Sequence, residues 1–510
     1  MTGLDLLLVN PGGHQRIYQN LGATLTAKEP PIWAALLASF ARLRGHQVQI
    51  LDANALDLTP AQVAAVVGEL QPRLCVVVVY GHNPNASTFV MPGAGAVCQA
   101  LAEACPVVPT MLLGGHCAAL PERTLREEAV DFVSGGEGAY TIDDLLGALA
   151  AGGTVAELAK VRGLWWWEGE QVRHNPPAPI VRDLASEMPA MAWDLLPMDR
   201  YRAHNWHCFG RPGREPYAAL YTTLGCPFTC TFCCIQAPFK SGEAVAGFDP
   251  QKNSYRRFDP DVVVAQITNL VDQFGVQNIK LADELFLLDK QHVARICDGL
   301  AALRADLNLW AYARIDTCRD EALLARMRAA GVRWLALGIE SASEHVRADV
   351  DKGYRPAAIQ QAVANVQRAG MHVMANYIFG LPEDDHTTMR ATLDFATELN
   401  TEFANFFSAM AYPGSQLYRD ALARGWPLPS SWAGYSQHSK DCLPLPTKHI
   451  SGGEVLAFRD AAFREYFSRP QYQDLVARTF GAMALGEVQG MLGQPLARDH
   501  ARPRSLATAP

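Results

Sequence analysis

Short runs of apolar residues, separated by helix-like segments, constrain the fold of this chain more than any other feature. Residues 4–10 (LDLLLVN) and 74–80 (LCVVVVY) are the clearest examples, and neither alternates polar with apolar side chains. A strand that is apolar on both faces is typical of a parallel sheet covered by helices on both sides. Further strand candidates lie at 47–53, 110–113 and 131–134. The sequence therefore predicts an α/β protein that begins with a doubly wound, Rossmann-like domain.

The same pattern returns after a Pro-rich interruption and divides the chain into regions. Six further strand–helix units predict a partial (β/α)6 barrel, in which functional groups belong at the carboxyl ends of the strands. The predicted regions are the doubly wound domain (1–155), a hairpin and linker (156–205), the barrel (206–420), a helical C-terminal region (421–490) and a disordered tail (491–510).

Composition and charge exclude several classes of protein. The net charge is −8 and there are no long basic runs, which argues against a nucleic-acid partner. No segment has the ~18 uninterrupted apolar residues that a membrane span needs, and the start of the chain lacks the basic region of a signal peptide. The 12 cysteines are mostly scattered, as is typical of a reducing compartment. We expect a cytoplasmic protein without a membrane span.

Four cysteines fall within nine residues, directly after the first predicted barrel strand. Cys226, Cys230 and Cys233 have C-x3-C-x2-C spacing, and Cys234 is adjacent to the last. Three nearby thiolates can bind zinc or an iron–sulfur cluster. No second C-x2-C or H-x3-H pair follows, so the alternatives are zinc completed by a distant histidine, buried thiols, or a [4Fe–4S] cluster with one open iron. Because adjacent residues point in different directions, we predict Cys234 to be a packed thiol.

The cysteine spacing resembles the signature of the radical SAM enzymes. The matching residues are Cys226, Cys230, Phe232 and Cys233, and the resemblance extends over about 190–420. It implies that the three cysteines bind a [4Fe–4S] cluster and that Phe232 lies beside the cofactor. It also implies that the fourth iron binds S-adenosylmethionine (SAM), whose reductive cleavage gives a 5′-deoxyadenosyl radical. The electron would come from an external donor of the flavodoxin or ferredoxin type.

Other motifs at the ends of barrel strands extend this resemblance. LADELF, WAYARID, GIESAS, NYIFGLPED and AYPGSQLY each end a predicted strand. For the acidic pair in LADELF, a solvated loop is the alternative; for Glu340, it is a buried ion pair with Arg314. The implied SAM contacts are Asp283, Glu284, Arg314, Glu340, Ser341, Pro413 and Gly414.

The N-terminal domain resembles the cobalamin-binding domain of class B radical SAM enzymes. The D-x-H-x-x-G motif is absent, so His14 is not predicted to bind cobalt, and an ordinary loop histidine is the alternative. A flavodoxin-like fold that does not bind cobalamin is another alternative for this domain. The absence of a G-x-G-x-x-G motif disfavours NAD as its ligand. Cys75 and Cys98 lie in core segments, which excludes a methylthiotransferase with a second cluster. The implied cobalamin contacts are Gly12, His14, His82, Asn83, Gly114, Gly115, Gly135, Gly136 and Glu137.

Together these features predict a cobalamin-dependent radical SAM methyltransferase that acts on a carbon of a small molecule. The resemblance implies that one SAM methylates cobalamin, and that a substrate radical takes the methyl group from methylcobalamin. The alternatives are a non-methylating reaction, such as the cyclisation by magnesium-protoporphyrin ester cyclase or a ring contraction, and a cobalamin sensor or electron carrier. We expect residues 415–480, with His438, Cys442 and His449, to contribute to the substrate pocket.

Overall fold

The computed structural model describes residues 3–13 and 17–502 of the chain. It contains two open α/β sheets, a small two-stranded antiparallel sheet and further helices at the C-terminal end, which confirms the predicted fold class. The strands are β1 Leu6–Asn10, β2 Val48–Asp52, β3 Leu74–Val78, β4 Thr110–Leu113, β5 Phe132–Ser134, β6 Leu164–Glu168, β7 Gln171–His174, β8 Tyr217–Leu220, β9 Thr223–Leu224, β10 Arg256–Arg257, β11 Asn278–Leu281, β12 Asn308–Ala313, β13 Val332–Glu340, β14 His372–Phe379 and β15 Phe403–Ser408.

Helices cover both sheets. Those before the barrel are Leu21–Thr24, Ile32–Leu43, Pro60–Leu70, Ala86–Phe89, Met91–Ala104, Gly115–Ala119, Pro121–Glu127, Ala139–Ala150, Val155–Leu158 and Leu184–Glu187. Those of the barrel and C-terminal region are Lys240–Glu243, Pro260–Phe274, Lys290–Ala302, Glu321–Ala329, Glu344–Asp349, Pro356–Arg368, His386–Leu399, Gln416–Arg424, Gly452–Ser468, Pro470–Phe480 and Ala482–Leu492. The 3₁₀ turns are Trp193–Leu195, Met198–Arg200, Trp206–Cys208, Phe286–Leu288, Ile315–Thr317 and Trp432–Tyr435.

The N-terminal sheet has the strand order β2-β1-β3-β4-β5-β6-β7. Strands β1 to β5 are parallel, and their buried apolar side chains explain the non-alternating sequence pattern. The hairpin predicted from LWWWEGEQVRH forms as β6 and β7, and it extends this sheet through antiparallel pairing with β5. The strand order reverses at β1, and ligands of doubly wound sheets bind outside the carboxyl ends at such a point.

The second sheet is the predicted partial barrel, with the order β15-β14-β13-β12-β11-β8. All five pairings are parallel, and no pairing joins β15 to β8 among the described residues. The first covering helix, Pro260–Phe274, begins as the sequence predicts, because Asp259 caps it and Pro260 occupies its first position. Val263, Ile267 and Leu270 bury its inner face.

Aromatic side chains close the amino-terminal end of the barrel. Trp206 comes from the segment just before β8, and its ring centroid lies 5.3 Å from that of Trp310 and 5.4 Å from that of Trp334. Phe403 stacks on Trp206 at 5.7 Å. The segment that leads into the first barrel strand therefore supplies the floor of the barrel.

The C-terminal region packs against the last barrel strand and continues further than expected. The hydroxyl of Tyr466 donates to the carbonyl oxygen of Thr401 at 3.1 Å. We expected disorder from residue 491, but Arg498 is held by the Asp460 carboxylate at 2.9 Å. That expectation is wrong for residues 491–502, and residues 503–510 lie outside the described part. No helix among the described residues is long and apolar enough to cross a membrane.

Candidate cofactor and substrate site

A cavity of about 610 Å³ lies where the N-terminal domain, the barrel and the C-terminal region meet. We call it the central cavity. Its walls include loops at the carboxyl ends of strands from both sheets, as the two fold types predict. It brings together seven of the predicted site residues: His82, Asn83, Phe232, Cys233, Glu284, Arg314 and Glu340.

The three predicted cluster ligands lie in one loop at the edge of this cavity. Cys226, Cys230 and Cys233 are each partly exposed and form no disulfide. The backbone N–H of Cys233 donates to the carbonyl oxygen of Cys230 at 3.0 Å, and the Gln236 amide donates to that of Cys226 at 2.7 Å. Burial raises the pKa of Cys226 to about 11, so this thiol needs a bound cation to lose its proton at neutral pH.

The three thiols do not converge on one point. Within residues 3–13 and 17–502, no group of three or more His, Cys, Asp or Glu side chains is arranged around a single metal ion. A [4Fe–4S] cluster does not require that arrangement, because each thiolate binds a different iron. Three thiols in one short, partly exposed loop therefore fit a cluster.

Cys234 occupies a different environment from its neighbours. Its side chain is buried, and its thiol donates to the Asn85 side chain at 3.2 Å. It lines a smaller cavity of about 20 Å³ together with Gly115, Asn83 and Glu284. These contacts support the prediction of a packed thiol at this position.

Asp283 does not face the cavity, contrary to its predicted role as a cofactor contact. Its carboxylate is fully buried and accepts from the backbone N–H and the hydroxyl of both Thr222 and Thr223. Burial raises the pKa of Asp283 to about 6, although these hydrogen bonds act in the opposite direction. Its position makes it an anchor for the strand that leads into the cysteine loop.

Glu284 is the acidic residue that reaches the cavity. One of its carboxylate oxygens is buried without a hydrogen-bond partner among the described residues. Burial is the main reason that the pKa of Glu284 is raised to about 8. A bound ammonium group would supply the missing partner and favour the charged carboxylate. This geometry suits the amino group of SAM.

Glu340 forms a buried ion pair, but its partner is not Arg314. The Lys352 ammonium contacts the Glu340 carboxylate and lies 5.7 Å from the Phe232 ring centroid. Arg314 instead pairs with Asp316 at 3.2 Å. Glu340 has φ +66°, a conformation that is costly for a non-glycine residue and frequent at functional sites.

Three other predicted SAM contacts lie outside the cavity wall. The Ser341 hydroxyl is fully buried and pairs with that of Thr392 at 3.1 Å. Pro413 and Gly414 form a turn against the cysteine loop rather than the cavity. A Cβ added at Gly414, where φ is +93°, would lie 2.7 Å from the Cβ of Ala237. The glycine is therefore required for this close packing.

The glycine-rich loops of the N-terminal domain contribute less than expected. Gly12, Gly114, Gly135 and Gly136 line neither cavity. At Gly114 an added Cβ would lie 2.5 Å from the backbone of Val79, so this glycine serves strand packing. His14 lies outside the described residues. The N-terminal domain instead lines the central cavity with residues 81–85, which we call the His82 loop.

Glu137, also predicted to contact cobalamin, is an interdomain tie. Its carboxylate lies 2.7 Å from the Arg256 guanidinium, and both side chains are 2% exposed or less. The other carboxylate oxygen accepts from the Val181 backbone N–H at 2.6 Å. The loop after β5 is thereby attached to the linker and to the strand beside the cysteine loop.

Replacing Glu137 with alanine should lower the free energy of unfolding by about 3–5 kcal/mol, because Arg256 would remain buried and unpaired. Urea unfolding of the purified protein measures this. Glu170→Ala removes an exposed carboxylate and should change the value by less than about 0.5 kcal/mol. Equal effects of the two substitutions would contradict the role of the ion pair.

Comparison with known proteins agrees with this arrangement. Residues 220–396 match the radical SAM superfamily, and residues 18–146 match the B12 binding domain. The chain combines a B12-binding domain with a radical SAM domain. The resemblance found in the sequence is thus confirmed.

Two curated relatives and one solved structure illustrate the similarity. An uncharacterized methyltransferase of Pyrococcus horikoshii is 28% identical over 92% of this chain and 94% of its own length. The anaerobic magnesium-protoporphyrin IX monomethyl ester cyclase of Cereibacter sphaeroides is 27% identical over 79% of this chain and 62% of its own. The radical SAM methyltransferase TsrM from Kitasatospora setae, solved with cobalamin and a [4Fe-4S] cluster, has TM-score 0.65 and 17% identity over 92% and 90%. At 17% identity, this structural similarity shows a shared fold and no more.

Several cavity residues carry no signal in the sequence. Lys280 lies on the short strand β11 (NIKL), and Lys352 follows a helix with no motif around it. Asn376 and Asn405 face each other inside the barrel, with the Asn405 amide donating at 3.0 Å. A polar residue at an inward strand position is the one signal that could have identified Lys280, Asn376 and Asn405. Of the three residues expected in the substrate pocket, His438 lines the cavity, whereas Cys442 and His449 do not.

Proposed function

We propose that this enzyme is a cobalamin-dependent radical SAM methyltransferase that acts on a carbon of a small molecule. The observation that carries the proposal is the central cavity, in which the cysteine loop and the His82 loop of the B12-binding domain face one space. A reaction that uses both a SAM-derived radical and cobalamin needs such a shared chamber. A cobalamin sensor or electron carrier would not need Glu284 in the cavity wall, because it would not bind SAM.

The residues present fit the three cofactors. Cys226, Cys230 and Cys233 would hold the [4Fe–4S] cluster, and Glu284 would bind the amino group of SAM. The His82 loop would face cobalamin. Burial, with a smaller contribution from Lys280, lowers the pKa of His82 to about 3, so this ring is neutral at pH 7. When bound, these groups supply a hydrogen-abstracting radical and a transferable methyl group.

The chain's own residues bind, orient and exclude water. The aromatic floor formed by Trp206, Trp310 and Trp334 closes the barrel beneath the cavity. The ion pair of Glu340 and Lys352 is internally compensated, so it can fix the wall beside Phe232 without a free charge. Keeping solvent away from such a site protects a radical from side reactions.

Methylation is favoured over cyclisation by the extent of the similarity. The relative named as a methyltransferase aligns along almost the whole of both chains, whereas the cyclase aligns over 62% of its own length. Cyclisation remains the second candidate because the cyclase is nearly as similar in identity. We also propose an external flavodoxin- or ferredoxin-type electron donor, since the cysteine loop is partly exposed. The free cysteines support a cytoplasmic location, because thiols stay reduced there.

Product analysis tests the proposed function. Anaerobically reconstituted enzyme with hydroxocobalamin, SAM and titanium(III) citrate should form 5′-deoxyadenosine and S-adenosylhomocysteine. With methyl-deuterated SAM and a metabolite extract, a product carrying the labelled methyl group is expected. Formation of 5′-deoxyadenosine without S-adenosylhomocysteine would favour cyclisation. Absence of both products would overturn the enzyme assignment.

A further inference from the structure

Lys280 is a buried cation inside the barrel that the proposed chemistry does not use. It lies on β11, and its side chain is 2% exposed. Its ammonium group donates to the Glu29 carboxylate at 2.9 Å and to the backbone carbonyl oxygen of His82 at 2.8 Å. The Trp310 ring centroid lies 5.2 Å away. Lys280 therefore connects a barrel strand to two separate segments of the N-terminal domain.

Glu29 completes this connection from the other side. Its carboxylate is 6% exposed, and its second oxygen accepts from the Tyr217 hydroxyl at 3.3 Å. His204 of the linker lies 3.8 Å from the same oxygen. The barrel, the linker and the segment before helix Ile32–Leu43 thus meet at one carboxylate.

This arrangement is better suited to fixing geometry than to adding stability. Apolar side chains of similar volume often stabilise a core as well as a buried ion pair does. Two of the three ammonium protons of Lys280 are already used, and an aromatic face lies beside the group. Lys280 is consequently a poor candidate for direct substrate binding. What distinguishes it is the bond to the His82 loop.

We propose that Lys280 is a positioning residue that holds the His82 loop at a fixed distance from the radical site in the barrel. This inference rests on the proposed function, because it assumes that the His82 loop faces cobalamin. Methyl transfer requires the methyl donor and the radical site to keep one alignment, and a displacement of about 1 Å can cost about 100-fold in rate. A direct bond from a barrel strand to the loop maintains that alignment.

The double variant Glu29→Gln/Lys280→Met tests the proposal without leaving a buried charge unpaired. The introduced glutamine can still accept from the Tyr217 hydroxyl, and the introduced methionine fills most of the space of the lysine stem. The double variant should therefore fold, with a melting temperature near that of the wild type. Lys280→Met alone leaves the Glu29 carboxylate buried without its lysine partner, so this variant should be less stable. Lys290→Met is the matched control, because Lys290 is 61% exposed and pairs with Asp320 at the surface.

Hydrogen–deuterium exchange measures the tether independently of any activity. In protein without added cobalamin, peptides covering residues 81–85 should exchange about tenfold faster in the double variant than in Lys290→Met, because loops that lose their contacts open more often. Peptides of the cysteine loop should be unchanged. Unchanged exchange at 81–85 would overturn the proposal, and so would equal acceleration in both regions.

Product ratios then test the positioning role. With hydroxocobalamin, SAM and titanium(III) citrate, 5′-deoxyadenosine formation should stay within about twofold of wild type, while S-adenosylhomocysteine formation should fall about tenfold. A parallel fall of both products, or no fall of either, would contradict positioning. If the wild type forms no S-adenosylhomocysteine, the proposed function fails, and the exchange experiment alone then decides whether Lys280 holds the loop.

Discussion

Replacing Cys230 with alanine should remove the iron–sulfur absorbance of the reconstituted enzyme and abolish reductive cleavage of SAM. Two remaining thiolates cannot hold the cluster with a single open iron, so both properties should be lost together. We expect at least a ~100-fold loss of 5′-deoxyadenosine formation, because the cluster supplies the electron. Iron content, the visible spectrum and a product assay measure the three effects.

The position of Cys230 makes this substitution informative. The side chain is partly exposed, and its contact with the carbonyl oxygen of Asp351 is long, at 4.0 Å. Little packing is lost in the Cys230→Ala variant, so loss of the cluster would mean that Cys230 is one of its ligands. Cys234→Ala is the matched control, because that thiol is buried against Asn85 and should be dispensable for the cluster. A Cys230→Ala enzyme that keeps its cluster would refute the ligand assignment.

The fold was largely predictable because its signals are local. Apolar strands such as LCVVVVY and capped helices such as Pro260–Phe274 can be predicted from a few consecutive residues. The partner of the hairpin β6–β7 could not be predicted, because edge pairing with β5 depends on residues about 30 positions away. The turn Trp206–Cys208, just before β8, likewise has no local feature that would assign it to the barrel floor.

The candidate site was predictable where a motif fixes the spacing. Phe232, Cys233 and Glu284 line the central cavity, and Cys226 and Cys230 lie in the same loop as Cys233; the roles predicted for them remain predictions. Acidic residues without such constraint were not predictable. Nothing in the sequence indicates that Asp283 turns toward Thr222 or that Glu137 meets Arg256.

The other contacts that the sequence did not predict join residues that are distant along the chain. Glu29 and Lys280 are separated by 251 positions, and only the docking of the two domains brings them together. Glu340 contacts Lys352 rather than Arg314, because the chain after β13 returns toward the cavity. Glycine-rich loops indicate close approach of some group, but not whether that group is a ligand or another strand.

Replacing Asp283 with alanine should destabilise the protein and prevent cluster loading, although Asp283 touches neither cavity. The carboxylate accepts four hydrogen bonds from Thr222 and Thr223, and it is completely buried. Hydrogen bonds to a charged group contribute about 1.5–3 kcal/mol each, and they are not additive. We expect the free energy of unfolding to fall by about 3–5 kcal/mol, because the donors of Thr222 and Thr223 would be left buried and without an acceptor.

Two comparisons separate this anchoring role from a cofactor contact. Asp283→Asn retains an acceptor oxygen for the two backbone N–H groups, so it should recover most of the stability and the cluster content. Asp272→Ala, at an exposed position of helix Pro260–Phe274, should match wild type in both. If Asp283 contacted SAM directly, the alanine variant would keep its cluster and stability but bind SAM weakly. Iron content, urea unfolding and SAM titration of the same preparations distinguish the two, because loss of the anchor must disturb the cysteine loop before any ligand is added.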